Sequence, residues 1–223
     1  MVGTSSGAFA GSLYAAGYTP EEVARELSRV PPIRLLRVNP RVWEGFFLLD
    51  GVVERLRELL PPTFEDLPTD FAVGVVDRHG RHHLVDSGPL PEAVAASACV
   101  PLVFKAVAIP GREQGPFVDG GKADRMAVVP HRERRRGQLA GRAAPPPALV
   151  HLISRSSPFS GGDAIDRCGE RDLHVVRSGK VRFREANLWD LGDFSGMMAR
   201  SRSKAVPAVS AVAAPLRGRA PLA

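Results

Sequence analysis

The run Gly3-Thr4-Ser5-Ser6-Gly7, followed at once by an Ala-rich stretch, constrains this chain more than any other feature. A Gly-x-Ser-x-Gly turn opening a helix reads as a nucleophile elbow, which lifts a serine oxygen into a pocket. Gly3 and Gly7 are expected there because side chains would clash where the backbone doubles back. Only Met1 and Val2 precede the motif, too few for the strand that should hold such a turn. The reading therefore expects the supporting strand to be missing from the front of the chain.

With 223 residues, 44% hydrophobic and 24% charged, the chain has the balance of a globular domain with a sizeable core. No apolar run approaches the ~20 residues that span a bilayer, and no basic-then-apolar leader opens the sequence. Cys99 and Cys168 make neither a disulfide framework nor a metal-ligand spacing, so no metal or organic cofactor is implied and a reducing, cytoplasmic setting is expected. Thirty Lys and Arg against 24 Asp and Glu leave a net charge of +6, much of it in residues 131–136 and around Arg200, Arg202, Lys204, Arg217 and Arg219. Two readings compete for this excess. One is weak contact with an anionic membrane surface, at roughly 1 kcal/mol per basic residue. The other, preferred because no apolar inserting face accompanies the charge, is a solvated arginine-rich loop over 131–142. Nucleic-acid binding is not expected, since the basic clusters lack interleaved aromatics.

The periodicity predicts a helix over residues 5–17 and a second opened by Thr19, Pro20 and Glu22 as a capping box, stopping at Pro31. Residues 33–49 are apolar and irregular. Asp50 is expected to cap an amphipathic helix through Leu60, with Val53, Leu56, Leu59 and Leu60 as its stripe. A hairpin follows, with strands over 70–77 and 81–86 about a turn at Arg78-His79-Gly80, and its histidines, His79, His82 and His83, read as solvated. Next come a short Ala-rich helix over 91–98, a brief strand at Phe117-Val118, a buried strand over 148–154, a strand at 173–177 and a helix over 190–206. An Ala/Pro-rich tail, 207–223, is expected to be loose. The pattern predicts an α/β layered domain over 1–206, with a central, mostly parallel sheet covered by helices on both faces.

A serine hydroxyl is a poor nucleophile and needs a base within hydrogen-bond reach. Two arrangements are open. Asp119 takes the proton directly, with Gly120 and Gly121 letting its backbone approach the elbow and Phe117-Val118 anchoring it. Alternatively a histidine completes a Ser, Asp, His order, for which His131, His151 and His174 are the candidates.

Three segments taken together resemble a patatin-like phospholipase domain: Gly3 to Ala8 with Leu13-Tyr14-Ala15-Ala16-Gly17, then Ala96-Ser97-Ala98-Cys99-Val100-Pro101, then Phe117-Val118-Asp119-Gly120-Gly121. The resemblance covers residues 3–129. It implies a Ser–Asp dyad acyl hydrolase acting on lipid esters, with Ser5 as nucleophile, Asp119 as general base and no histidine. It also assigns Ser97 and Cys99 to packing behind the site. In that family a glycine-rich loop with a basic residue, one strand and one helix upstream of the serine, supplies oxyanion donors. Such a unit needs roughly 30 residues, so it too is expected to be missing, leaving the Ser6 backbone N–H as the donor. Residues 122–127 depart from the family's Asn-x-Pro after the aspartate. A second reading, from a different class, is a truncated, catalytically impaired member that binds lipid or a partner without turnover.

Overall fold

The computed structural model describes residues 1–138, 148–153, 173–178, 189 and 192–217. They fall into two compact units, one built on residues 1–140 and the other holding residues 148–153, 173–178 and 192–217.

The first unit runs β1 (Val2–Gly3), α1 (Ser6–Ala15), α2 (Pro20–Ser28), β2 (Arg37–Val38), β3 (Phe47–Leu48), α3 (Asp50–Leu59), β4 (Ala72–Val76), β5 (His82–Val85), α4 (Leu90–Ser97), β6 (Val118–Asp119) and α5 (Val128–Gln138). The helices start largely where local chemistry directs. The Thr19 hydroxyl accepts the Glu22 N–H and the Glu22 carboxylate accepts the Thr19 N–H, closing the expected capping box on α2. Asp50, expected as a cap, instead lies inside the first turn of α3, where a carboxylate favours the positive end of the helix.

β4 organises the sheet. Its five residues, Ala-Val-Gly-Val-Val, are all buried, as β-branched side chains between two packed layers require. Each fully buried valine there contributes about 1.5–3 kcal/mol relative to exposure. β5 pairs antiparallel along one side of β4, from Val73–Val85 to Val76–His82. The other side is shared: β1 lies parallel to Ala72 and Val73, and β6 lies antiparallel to Val75 and Val76. The sheet is thus mixed, with one parallel pairing and two antiparallel, and not the mostly parallel sheet expected. The cause is the tight β4–β5 turn, which a parallel crossover could not make. It is held by Asp77, whose Oδ1 accepts the N–H groups of His79 and Arg81 while His83 donates to Oδ2 at 2.8 Å. Burial pushes this carboxyl up, but His83 and the two N–H groups outweigh it and hold it at about 2.

The expected lack of a strand before the elbow is corrected here. Val2 and Gly3 form one, and the chain is tied to β4 before it: Met1 O accepts the Ala72 N–H at 3.0 Å and the Met1 ammonium donates to Asp70 O at 2.8 Å. Both residues of this strand pair with β4, at Ala72 and Val73. α4 is buried along its entire length and packs against β4, with α1 and α3 on its other sides, so the core closes over Leu13, Leu56, Phe71, Leu90, Val94 and Phe117.

Residues 131–138, expected as the start of a solvated arginine loop, belong to α5, which packs against β5. Arg134 draws it down. Its guanidinium, 13% exposed, pairs with Asp70 just before β4 and with Asp86 just after β5. Antiparallel pairing brings those two carboxylates together, and one planar fork serves both. Because Asp70 and Asp86 keep 57% and 43% exposure, they would rehydrate once the arginine is gone. Arg134→Ala is therefore expected to cost about 1–2 kcal/mol, below the cost of orphaning a fully buried charge. Urea unfolding checks this: the loss shrinks in high salt, and an unchanged midpoint would show that the pair contributes nothing.

In the second unit β7 (Ala148–Ile153) pairs in parallel with β8 (Leu173–Ser178), and α6 (Phe194–Arg217) packs on β8. β7 alternates between buried and exposed positions, a strand with one wet face and not the buried strand expected. α6 continues past Val206, where the loose tail was expected to begin. Pro207 removes one N–H, and the alanines that follow have the highest helix propensity available to carry the turn on. Residues 139–147, which include the remainder of the expected arginine loop, and Cys168 lie outside the described residues, as do 218–223. Among the described residues no helix is long and apolar enough to cross a membrane.

Candidate active site

Gly3 ends β1 on one side of β4, and Asp119 ends β6 on the same side. The two strand ends therefore meet at Gly74, the β4 residue between their pairing positions.

Ser5 lies in the sharp turn between β1 and α1 with φ +54° and ψ −121°, a left-handed conformation that a side chain adopts at a cost of roughly 1–3 kcal/mol. The surroundings over-determine it. Gly7 N–H donates to Thr4 O and Ala8 N–H to Ser5 O, both at 2.9 Å. Ser5 N–H donates to Ser97 Oγ at 3.0 Å, and the Ser97 hydroxyl donates to Gly74 O at 2.7 Å. Ser97 thus joins the elbow to the central strand through hydrogen bonds, a more specific part than the packing expected of it. A lone hydroxyl in the Ala-rich segment 93–98 was the signal.

Of the motif glycines, Gly3 is required. A Cβ there would sit 2.4 Å from Gly7 O. Gly7 is not required on the same ground, since a Cβ would meet nothing within 4 Å, which corrects the expected clash. Gly120 lets the chain after Asp119 approach β4, because its Cβ would stand 2.3 Å from Gly74 O. The close approach is thus to the central strand, where approach to the elbow was expected. At Gly121 a Cβ would lie 3.0 Å from the Asp119 carboxylate.

Asp119 is buried. Its N–H donates to Cys99 O at 2.9 Å, and its Oδ1 accepts the Gly121 N–H at 2.7 Å. Burial raises the Asp119 pKa above the ordinary carboxylate value, and the Ser5 side chain, the Gly121 N–H and the charge of Arg125, which favour the charged form, only partly oppose it. A carboxylate so placed is a stronger base than one in water.

Ser6 begins α1, directly after the Ser5 turn. The N–H groups of Gly7, Ala8 and Phe9 are all taken by Thr4 O or Ser5 O, which leaves the Ser6 N–H without an acceptor among the described residues. It also lies at the positive end of the helix dipole. Cys99 has no chemistry of its own here. Its thiol is buried against Lys105 O at 3.1 Å, and burial, with the nearby Asp119, pushes its pKa up to about 12.

The groups that act on the Asp119 carboxylate are Ser5, Gly121 and Arg125, and no histidine of the first unit is among them. His131 lies in α5; its N–H bonds to Ala127 O. His151 and His174 are exposed on β7 and β8, and His151 shares a hydrogen bond with Ser178 Oγ at 3.0 Å. His82 departs from the solvated position expected. Both its ring nitrogens are buried without a hydrogen-bond partner among the described residues, and burial lowers its pKa, which favours the neutral ring. Residues 122–127, which depart from the resembled pattern, form a braced turn: Asp124 Oδ1 accepts the N–H groups of Met126 and Ala127 at 3.0 and 2.8 Å. Among the described residues no group of His, Cys, Asp and Glu could hold a metal ion.

The profile of the Patatin-like phospholipase family matches residues 1–130, more than half of the chain. The chain belongs to the patatin-like phospholipase family. Its matched region contains β1 through β6, and hence both Ser5 and Asp119. No curated protein matches the chain. That membership places the chain in a family of lipid acyl hydrolases.

Proposed function

We propose that the protein is a lipid acyl hydrolase in which Ser5 and Asp119 act as a two-residue nucleophile–base site. The observation that carries this reading is the meeting at Gly74 of two strand ends, one leading into the strained Ser5 turn tied to the central strand and the other carrying the buried Asp119 carboxylate, whose pKa is raised and on which the Ser5 side chain acts. Ser5 Oγ attacks the ester carbonyl carbon while its proton passes to Asp119. The tetrahedral oxyanion is met by the Ser6 N–H and the positive end of α1. Collapse breaks the ester C–O bond, and the leaving alcohol or lysolipid takes the proton from Asp119. Water then gives a proton to the same carboxylate as it attacks the acyl-enzyme, and Ser5 recovers that proton as the fatty acid departs.

A fluorophosphonate probe tests this directly. It is expected to attach to the peptide carrying Ser5, to be lost in Ser5→Ala, and to slow as the pH falls and Asp119 takes up its proton. A protein that never labels, with its fold intact, would instead favour a member that binds lipid or a partner without turnover.

A further inference from the structure

The segment between β2 and β3 leaves the core and carries apolar side chains into solvent. Trp43 is 76% exposed, and Val38, Val42 and Phe46 stand out beside it. Leu102, 63% exposed, joins them from a separate part of the chain: Phe46 N–H donates to Leu102 O, Phe47 N–H to Val103 O, and Lys105 N–H returns to Phe47 O. Scattered exposed leucines need no explanation, but five large apolar side chains on one hydrogen-bonded knob do.

The knob is a built object. Buried Asn39 locks its tip, with Nδ2 donating to Arg41 O at 2.8 Å and Gly45 O at 2.7 Å while Oδ1 accepts the Arg41 N–H. Leu102 is held at φ +70°, a left-handed backbone that a leucine adopts only under constraint, and the result is a side chain in water. Around the apolar tip stand Arg37, Arg41 and Lys105. Glu44 pairs with Arg41 and Lys105, and Glu54 with Arg37, so the collar has three cations against two carboxylates.

We propose that this knob is the surface by which the protein docks on an anionic lipid bilayer, with Trp43 and Phe46 in the interfacial layer and the basic collar among the headgroups. Tryptophan fits that layer because its ring is amphipathic, and the collar's net positive charge favours phosphate while opposing a second copy of the same face. The position serves the site: Leu102 lies three residues beyond Cys99, whose carbonyl accepts the Asp119 N–H. That benefit to catalysis rests on the acyl-hydrolase reading, whereas docking itself does not.

The test therefore uses the full chain carrying Ser5→Ala, which cannot consume the lipid, in flotation with vesicles of phosphatidylcholine alone or with one-third phosphatidylglycerol. Binding is expected to the anionic vesicles, to weaken in high salt, and to fall on the order of tenfold or more when Trp43 and Phe46 become serine. A second readout leaves the knob intact: in a Trp189→Phe background, Trp43 emission shifts to the blue and is quenched by brominated acyl chains. Unchanged flotation of the serine variant, or Trp43 emission indifferent to vesicles, would overturn the proposal. So would light scattering showing that the wild-type chain self-associates and that the serine substitutions dissociate it. If flotation succeeds while the probe never labels Ser5, docking stands and the hydrolase reading fails.

Discussion

Asp119→Asn is expected to lower turnover of a water-soluble ester by at least about a thousandfold and, at neutral pH, to raise the melting temperature. Both effects come from one fact. Burial raises the Asp119 pKa above its ordinary value of 3.8. Between 3.8 and the raised value the native protein keeps a proton that the unfolded chain has released. The stability contributed by this group therefore falls as pH rises through that window and stays low above it. Asparagine removes the charge that is costly to bury, and its carbonyl still accepts the Gly121 N–H. It cannot take a proton from Ser5. Melting curves across pH should show the variant gaining on the wild type as pH rises from 3.8 to neutrality, with no gain below. Retained turnover, or a variant less stable at pH 7 than the wild type, would refute the assignment of Asp119 as a buried base.

Gly120→Ala is the substitution with the largest expected cost to the fold. Its Cβ would sit 2.3 Å from Gly74 O and 3.0 Å from Val75 N, both backbone atoms of a strand paired on both sides. Neither can yield without opening a ladder, so a loss of about 2–3 kcal/mol is expected, with turnover falling as Asp119 is levered from Ser5. Gly7→Ala is the matched control. It meets open space in the first turn of a helix, where alanine is the better former, and should leave stability unchanged or slightly higher. Urea unfolding of the pair decides the matter: equal midpoints would mean that the contact between Gly120 and β4 is not tight.

The apolar knob shows why part of the molecule was hidden in the chain's letters. Residues 33–49 read only as apolar and irregular, and burial is what apolar side chains usually do, so nothing in the letters sets Val38, Trp43 and Phe46 apart. Their exposure follows from Asn39 closing the tip and from Leu102 reaching the same place from a different segment. Likewise residues 131–136 read as solvated charge, since the carboxylates that draw Arg134 inward are 64 and 48 residues away.

What the order of residues determined by itself is local: the elbow at Ser5, the capping box at Thr19, the hairpin about Gly80 and the short Ala-rich helix that follows it. Turns, caps and periodicity act over a few residues, so they can be read without knowing the fold. Only the tertiary structure decided that two short strands share one side of β4 and meet at Gly74, that Ser97 braces the elbow, and that a carboxylate 114 residues away in sequence is buried at the same end of the sheet as Ser5. Those outcomes depend on close approach between distant backbones and on the desolvation it brings, and neither exists until the chain has closed on itself.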